Sequence, residues 1–218
     1  MLSAGGFARI SEWTMLCQPI DRRLFLTGAV AALALPCLLA NAAAMPTMDE
    51  VAADPAIPAL GNPQGDVTIA EYVDFQCPVC KLAFIELKKL LAEDAGIRLV
   101  MKDWPIFGDA SRYAAKMALA TSDSGHYGQA VDALMTAEGR LSERRTDTIL
   151  ADAGIDLART RANLAERGAG IDALLVRNES QASAFKLRGT PALVVGGRLF
   201  RHGLSLDELR TAVRQARS

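Results

Sequence analysis

Cys77-Pro78-Val79-Cys80 is the stretch of this chain best equipped for chemistry. The apolar run Val67 to Phe75 precedes it, and the amphipathic run Lys81 to Leu91 follows it. A strand, a tight turn carrying C-x-x-C and then a helix form the context in which this spacing reads as a redox pair. At a helix N-terminus Cys77 would meet unpaired N–H groups and the positive end of the macrodipole, both of which favour a thiolate. The thiolate is the attacking species in thiol–disulfide exchange. With two residues between them, Cys80 can reach Cys77, close a small ring and resolve a mixed disulfide. Pro78 lacks an N–H, which costs little in the first turn, where that group has no partner. An inert structural disulfide and half of a zinc site are the competing readings of the pair. Zinc would need further Cys or His ligands, and the only histidines are His126 and His202. No metal site and no cofactor are expected.

The rest of the chain must position that pair. At 218 residues, half of them apolar, it suits one domain, or one domain with a sizeable insertion, and can build a core without staples. A net charge of −1 without a basic block argues against nucleic acid as a partner.

The first 44 residues read as an export signal. Asp21-Arg22-Arg23-Leu24-Phe25-Leu26 precedes an apolar stretch from Gly28 to Ala40, and small residues offer cleavage after Ala42 or Ala44. The apolar stretch is short for a spanning helix, which needs about 20 residues. The arginine pair matches a twin-arginine signal except that Asp21 stands where Ser or Thr is preferred; it also serves as the positive region of an ordinary secretory signal. Met15 is a second candidate start. Cys37 follows Pro36, which makes a poor lipidation site. Cleavage removes Cys17 and Cys37 and leaves Cys77 and Cys80 as the one pair, with no stray thiol to mispair in an oxidising compartment.

In the mature region, 45–62 carries Pro46, Pro55 and Pro58 and reads as an extended arm. Val67 to Phe75 reads as a buried central strand. Glu71 interrupts it, either facing solvent at an edge or buried below the cysteines, where desolvation would raise its pKa and let it exchange protons with Cys80. Lys81 to Ala95 is an amphipathic helix stopped at Gly96, and Ile97 to Trp104 is a second strand, parallel to the first. Lys102 is either an exposed strand-end lysine or a neighbour of Glu71. Between Asp109 and Leu187 five helices are expected: Asp109 to Thr121, Gly125 to Ala137, Ser142 to Ala153, Asp156 to Arg167 and Gly170 to Leu187. Gly189-Thr190-Pro191 leads into two strands joined by Gly196-Gly197, a hairpin signal. Ser205-Leu206-Asp207-Glu208 has the capping-box pattern and opens a last helix.

From Gly61 to Arg217 the chain resembles the DsbA-like branch of the thioredoxin superfamily, on C-P-x-C after the first strand, Thr190-Pro191 before the hairpin and the helical region between them. The resemblance implies an α/β thioredoxin fold, a central mixed sheet with an inserted helical domain. The implied map is a signal at 1–44, an arm at 45–62, a thioredoxin domain at 63–108 and 188–218, and a helical insertion at 109–187. It further implies that Cys77 is the nucleophile and Cys80 the resolving thiol. Glu71 matches the family's buried acid, and Thr190 the residue before a cis-proline, Pro191, that packs beside the cysteines. One departure matters: Val79 stands where the strongly oxidising members carry His. Without that imidazole the reduced form is less favoured and the enzyme a milder oxidant. Thr190 is the residue typical of isomerase members. The region before Gly61 is too short and proline-rich for a coiled-coil stalk.

The expected function is an exported, periplasmic thiol:disulfide oxidoreductase, acting as a dithiol oxidase on folding proteins, recycled by a membrane redox partner, and monomeric. The alternatives are an isomerase or reductase kept reduced by a partner, or a redox-inert peptide-binding or chaperone module using the loop at Pro191.

Overall fold

A computed structural model of the chain describes residues 45–218. The proposed leader at 1–44, with its arginine pair and with Cys17 and Cys37, lies outside the described residues. The elements run α1 (Met48–Ala52), β1 (Ala59–Gly61), β2 (Val67–Val73), α2 (Pro78–Glu93), β3 (Ile97–Asp103), α3 (Asp109–Ala120), α4 (Tyr127–Thr136), α5 (Glu143–Asp152), α6 (Leu157–Ala184), β4 (Ala192–Val195), β5 (Arg198–Phe200) and α7 (Leu206–Ala216). This is an α/β thioredoxin fold, with the helices α3 to α6 inserted between β3 and β4.

The five strands form one sheet in the order β1-β3-β2-β4-β5. β2 and β3 are parallel, and the other three pairings are antiparallel. β2 therefore lies between two neighbours, and its β-branched and aromatic residues are covered on both faces, as a near-continuous apolar strand requires. Alternation sends Tyr72 toward α6, where its ring meets Trp104 and Phe185 edge-on and its hydroxyl lies 3.4 Å from Gln181 Oε1. The same alternation sends Glu71 to the opposite face.

α2 begins where Pro78 takes the first helical position and Cys77 the cap. It buries Ala83, Phe84, Leu87 and Leu90 against the sheet; burying a side chain such as Phe84 or Leu87 contributes about 1.5–3 kcal/mol. Ser205 and Glu208 form the expected capping box, and α7 closes over α2 and β4 with Leu209, Ala212 and Val213.

Three expectations are corrected. The stretch 45–62 is not a free arm. Thr47 and Glu50 form a capping box for α1, Val51 and Ile57 are buried, and β1 pairs with the outer edge of β3. The prolines end the helix without preventing docking, because Pro58 precedes an edge strand, where a missing donor costs little. The helices expected at Asp156 to Arg167 and Gly170 to Leu187 are one 28-residue helix, α6. Each interior glycine costs about 1 kcal/mol relative to alanine. Burial of Ile171, Leu174 and Leu175 just beyond them outweighs that cost. Lys102 is neither exposed nor beside Glu71. It pairs in register with Tyr72, on the face that α6 covers, and is fully buried. Its Nζ stands 3.5 Å from Asp54 Oδ2, and Asp54 also takes both Arg177 Nε at 2.8 Å and Nη2 at 2.9 Å. Docking of the 45–62 stretch thus supplies the carboxylate that the buried lysine needs.

Candidate active site

The turn from β2 into α2 is built around Asp74. Its Oδ1 accepts the Gln76 N–H at 2.7 Å, its carbonyl accepts the Cys77 N–H at 3.0 Å, and its Oδ2 accepts the Phe107 N–H at 3.0 Å. This is an Asx-type turn, in which a short carboxylate satisfies backbone donors that no strand can reach. Cys77 then caps α2 with extended backbone (φ −74°, ψ 114°), and its Sγ accepts the Cys80 N–H at 3.4 Å. The helix thus directs an otherwise unpaired N–H at the first sulfur, the geometry that favours negative charge there.

From the other side Thr190 closes on the same atom. The Cys77 thiol lies 3.4 Å from the Thr190 carbonyl oxygen, and the Thr190–Pro191 peptide bond is cis. Pro191 is itself buried, and its ring packs beside Gly203, where a Cβ would come within 3.2 Å of Pro191 Cγ. Cys77 is only 3% exposed. Val79, where the resemblance expected a position able to tune the sulfur, is 53% exposed and has no polar group to offer. Pro78 is exposed beside it.

Cys80 is fully buried, and both thiols are free. Burial pushes the Cys80 thiol up, and the charge of Glu71 pushes it further. Glu71 is fully buried, and among the described residues neither carboxylate oxygen has a hydrogen-bond partner. Its pKa is raised well above the ordinary carboxylate range, first by desolvation and then by negative charge on Cys77. The buried option for Glu71 is therefore the one realised. The structure brings Glu71, Cys77, Cys80, Thr190 and Pro191 into one constellation and keeps Lys102 outside it.

Sequence reasoning missed three residues around this site. Asp74 shapes the turn. Gln76 reaches from the residue before Cys77 to Ser111 Oγ at 2.9 Å, and its Oε1 accepts the Leu141 N–H at 2.9 Å. Lys81 carries its amine to the C-terminal end of α4, 2.7 Å from the Leu134 and Ala137 carbonyls. Desolvation lowers the Lys81 pKa. No local signal marks these partners, which are 35 to 65 residues away in sequence. Asp74 alone had one, as an Asp two residues before a tight turn.

A parallel βαβ start, a thiol pair capping its helix and a threonine–cis-proline loop against the first sulfur define a thioredoxin-type redox centre. The comparisons with known proteins agree. The protein-family profile described as Thioredoxin matches residues 54–215, and the chain belongs to the thioredoxin superfamily, in its DsbA-like branch. A thioredoxin-like oxidoreductase from Silicibacter pomeroyi is 33% identical, with 79% of this chain and 98% of that one covered and a TM-score of 0.75. The thiol-disulfide exchange protein alpha-DsbA2 from Wolbachia pipientis is 27% identical over 77% of this chain and 90% of its own, with a TM-score of 0.72. Among curated proteins, the Na(+)/H(+) antiporter NhaA 1 of Salinispora arenicola is 30% identical over 159 residues, 72% of this chain. The chain spans about a quarter of the length of that relative, 24%.

Proposed function

We propose that this protein is an exported thiol:disulfide oxidoreductase that exchanges disulfides with folding proteins through Cys77 and Cys80, working as a dithiol oxidase of mild potential. The observation that carries this reading is the position of Cys77 Sγ, between the Cys80 N–H and the Thr190 carbonyl at 3.4 Å from each, with Cys80 buried behind it.

In the oxidised enzyme, a substrate thiolate attacks Cys77 Sγ and breaks the Cys77–Cys80 bond. Cys80 leaves with the electron pair. A buried thiolate is costly, and Glu71, whose raised pKa favours its protonated form, is the group that would protonate it. The substrate's second thiolate then attacks the first substrate sulfur and expels Cys77. The substrate has lost two electrons, the enzyme pair has gained them, and a membrane redox partner removes them. Thr190 and Pro191 position the incoming chain, whose backbone can pair with the extended loop in strand fashion. Pro78 starts the helix that presents Cys77.

On this reading residues 1–44 are the export signal, the protein acts in the periplasm as a monomer, and the helical insertion spans 109–187. Val79 in place of His favours a milder oxidant, and Thr190 before the proline favours the isomerase or reductase direction as the second reading. Equilibration of the mature protein with glutathione buffers separates them. A potential between about −120 and about −200 mV supports the oxidase, and one near about −270 mV supports a reductase. Absence of exchange would leave only a peptide-binding module.

A further inference from the structure

On the side of α2 away from Pro191 lies a second cleft of about 510 Å³, lined by Pro78, Leu82, Ile85, Met135, Glu138 and Arg140 among others. Its outer wall is the connection between α4 and α5, and the active-site turn pins that wall at both ends. Lys81 Nζ holds the Ala137 carbonyl at 2.7 Å, and Gln76 Oε1 holds the Leu141 N–H at 2.9 Å. Arg145 Nη2 adds a bond to the Glu138 carbonyl at 2.6 Å. The connection is therefore a fixed wall, with Gly139 turning at φ +74° between the pins.

The floor is apolar for a reason. Lys81 is the charged side chain of α2 that borders the cleft, and its amine is spent on helix-end carbonyls. Leu82 and Ile85, 64% and 49% exposed, stay uncovered on the same helix face. Two bare aliphatic side chains beside a rigid wall mark a place that something apolar occupies. The cleft is continuous with the exchange site, since Gln76 and Pro78 flank Cys77 and line the cleft too. The occupant therefore belongs to the chain whose sulfur meets Cys77. From Pro78 to Leu82 the helix rises about 6 Å, which an extended peptide covers in about two residues.

We propose that this cleft is a specificity subsite for the polypeptide substrate: it receives an apolar side chain two residues from the reacting cysteine, on the side away from the Pro191 loop. The inference rests on the exchange reading above and adds to it the class of sequence preferred.

The test uses the Cys80→Ser variant and short peptides with one cysteine activated as a 2-thiopyridyl disulfide. Cys77 thiolate attacks the peptide sulfur, and the pyridinethiolate leaves with the electron pair as a chromophore. Peptides carry Leu or Ser two residues before or after the cysteine. The expected result is a Leu over Ser preference of about tenfold at one of the two positions, equivalent to about 1.4 kcal/mol. That preference should fall to about twofold or less when Leu82→Ser and Ile85→Ser are added. Equal rates for Leu and Ser at both positions, or a preference that survives the added substitutions, overturn the subsite. Failure of Cys77 to react even with oxidised glutathione would instead overturn the exchange reading on which it rests.

Discussion

Lys102 offers the sharpest energetic test of how the fold is held together. Its side chain is fully buried, its amine stands 3.5 Å from Asp54 Oδ2, and no other hydrogen-bond partner reaches it among the described residues. Desolvation lowers its pKa from 10.5 to about 8, against the opposing pull of Asp54. At about 1.4 kcal/mol per pH unit, that fall corresponds to about 3 kcal/mol of destabilisation at neutral pH. Asp54 does not depend on the lysine, because Arg177 grips it with two hydrogen bonds and the Ala56 N–H with a third. The two halves of the pair should therefore respond with opposite signs. Lys102→Met, nearly the same shape, should stabilise the protein by up to about 3 kcal/mol at neutral pH. Asp54→Asn strands a buried ammonium and should cost about 3–5 kcal/mol. Urea denaturation of both variants measures this directly. In the wild type the unfolded chain binds more protons than the folded one between about pH 8 and 10.5, so stability should rise through that window. Lys102→Met should lack the rise. If Lys102→Met loses as much stability as Asp54→Asn, the pair is a net stabilising bridge and the reasoning fails.

Glu71→Gln removes a buried acid whose folded pKa lies above its ordinary 4.5. The wild type enjoys the neutral acid fully below about pH 4.5 and loses that contribution as pH rises through the raised pKa, so denaturation midpoints of variant and wild type should converge in acid and diverge, variant higher, toward alkaline pH. In stopped-flow exchange the same variant should release Cys80 from its disulfide about a hundredfold more slowly, since it has lost a proton donor. Lys81→Met should lower the thermal midpoint by about 4–8 °C in calorimetry, the loss of about 2 kcal/mol of charged hydrogen bonds to the end of α4.

Much of the site was legible because it is local. Cys77, Pro78 and Cys80 lie within four residues, and helix capping, strand pattern and thiol chemistry all point the same way there. Thr190-Pro191 could be linked to them only through the family pattern, since 113 residues separate Thr190 from Cys77. For Glu71 the composition of β2 allowed either face, and pairing on both sides decided it. The errors came where tertiary packing overrode local signals. Prolines suggested a free segment at 45–62, but α1 packs Val51 against β2 and β4, and Asp54 had a buried lysine to meet. Gly168 and Gly170 suggested a helix break, but the helix runs on through them because Ile171, Leu174 and Leu175 are buried just beyond. Gln76 and Lys81 look like ordinary polar residues beside a redox pair, and their partners in the helical insertion are set by the fold alone.

The central claim is that Cys77 is the sulfur that forms the mixed disulfide with substrate, and Cys80 its buried partner. Trapping with an unfolded, disulfide-bonded polypeptide tests it most directly, read by non-reducing electrophoresis and peptide mass mapping of the reduced variants. The account predicts that Cys80→Ser accumulates a covalent complex bonded through Cys77, and that Cys77→Ser accumulates none. A comparable complex through Cys80 in the Cys77→Ser protein, or no complex with Cys80→Ser, would contradict it.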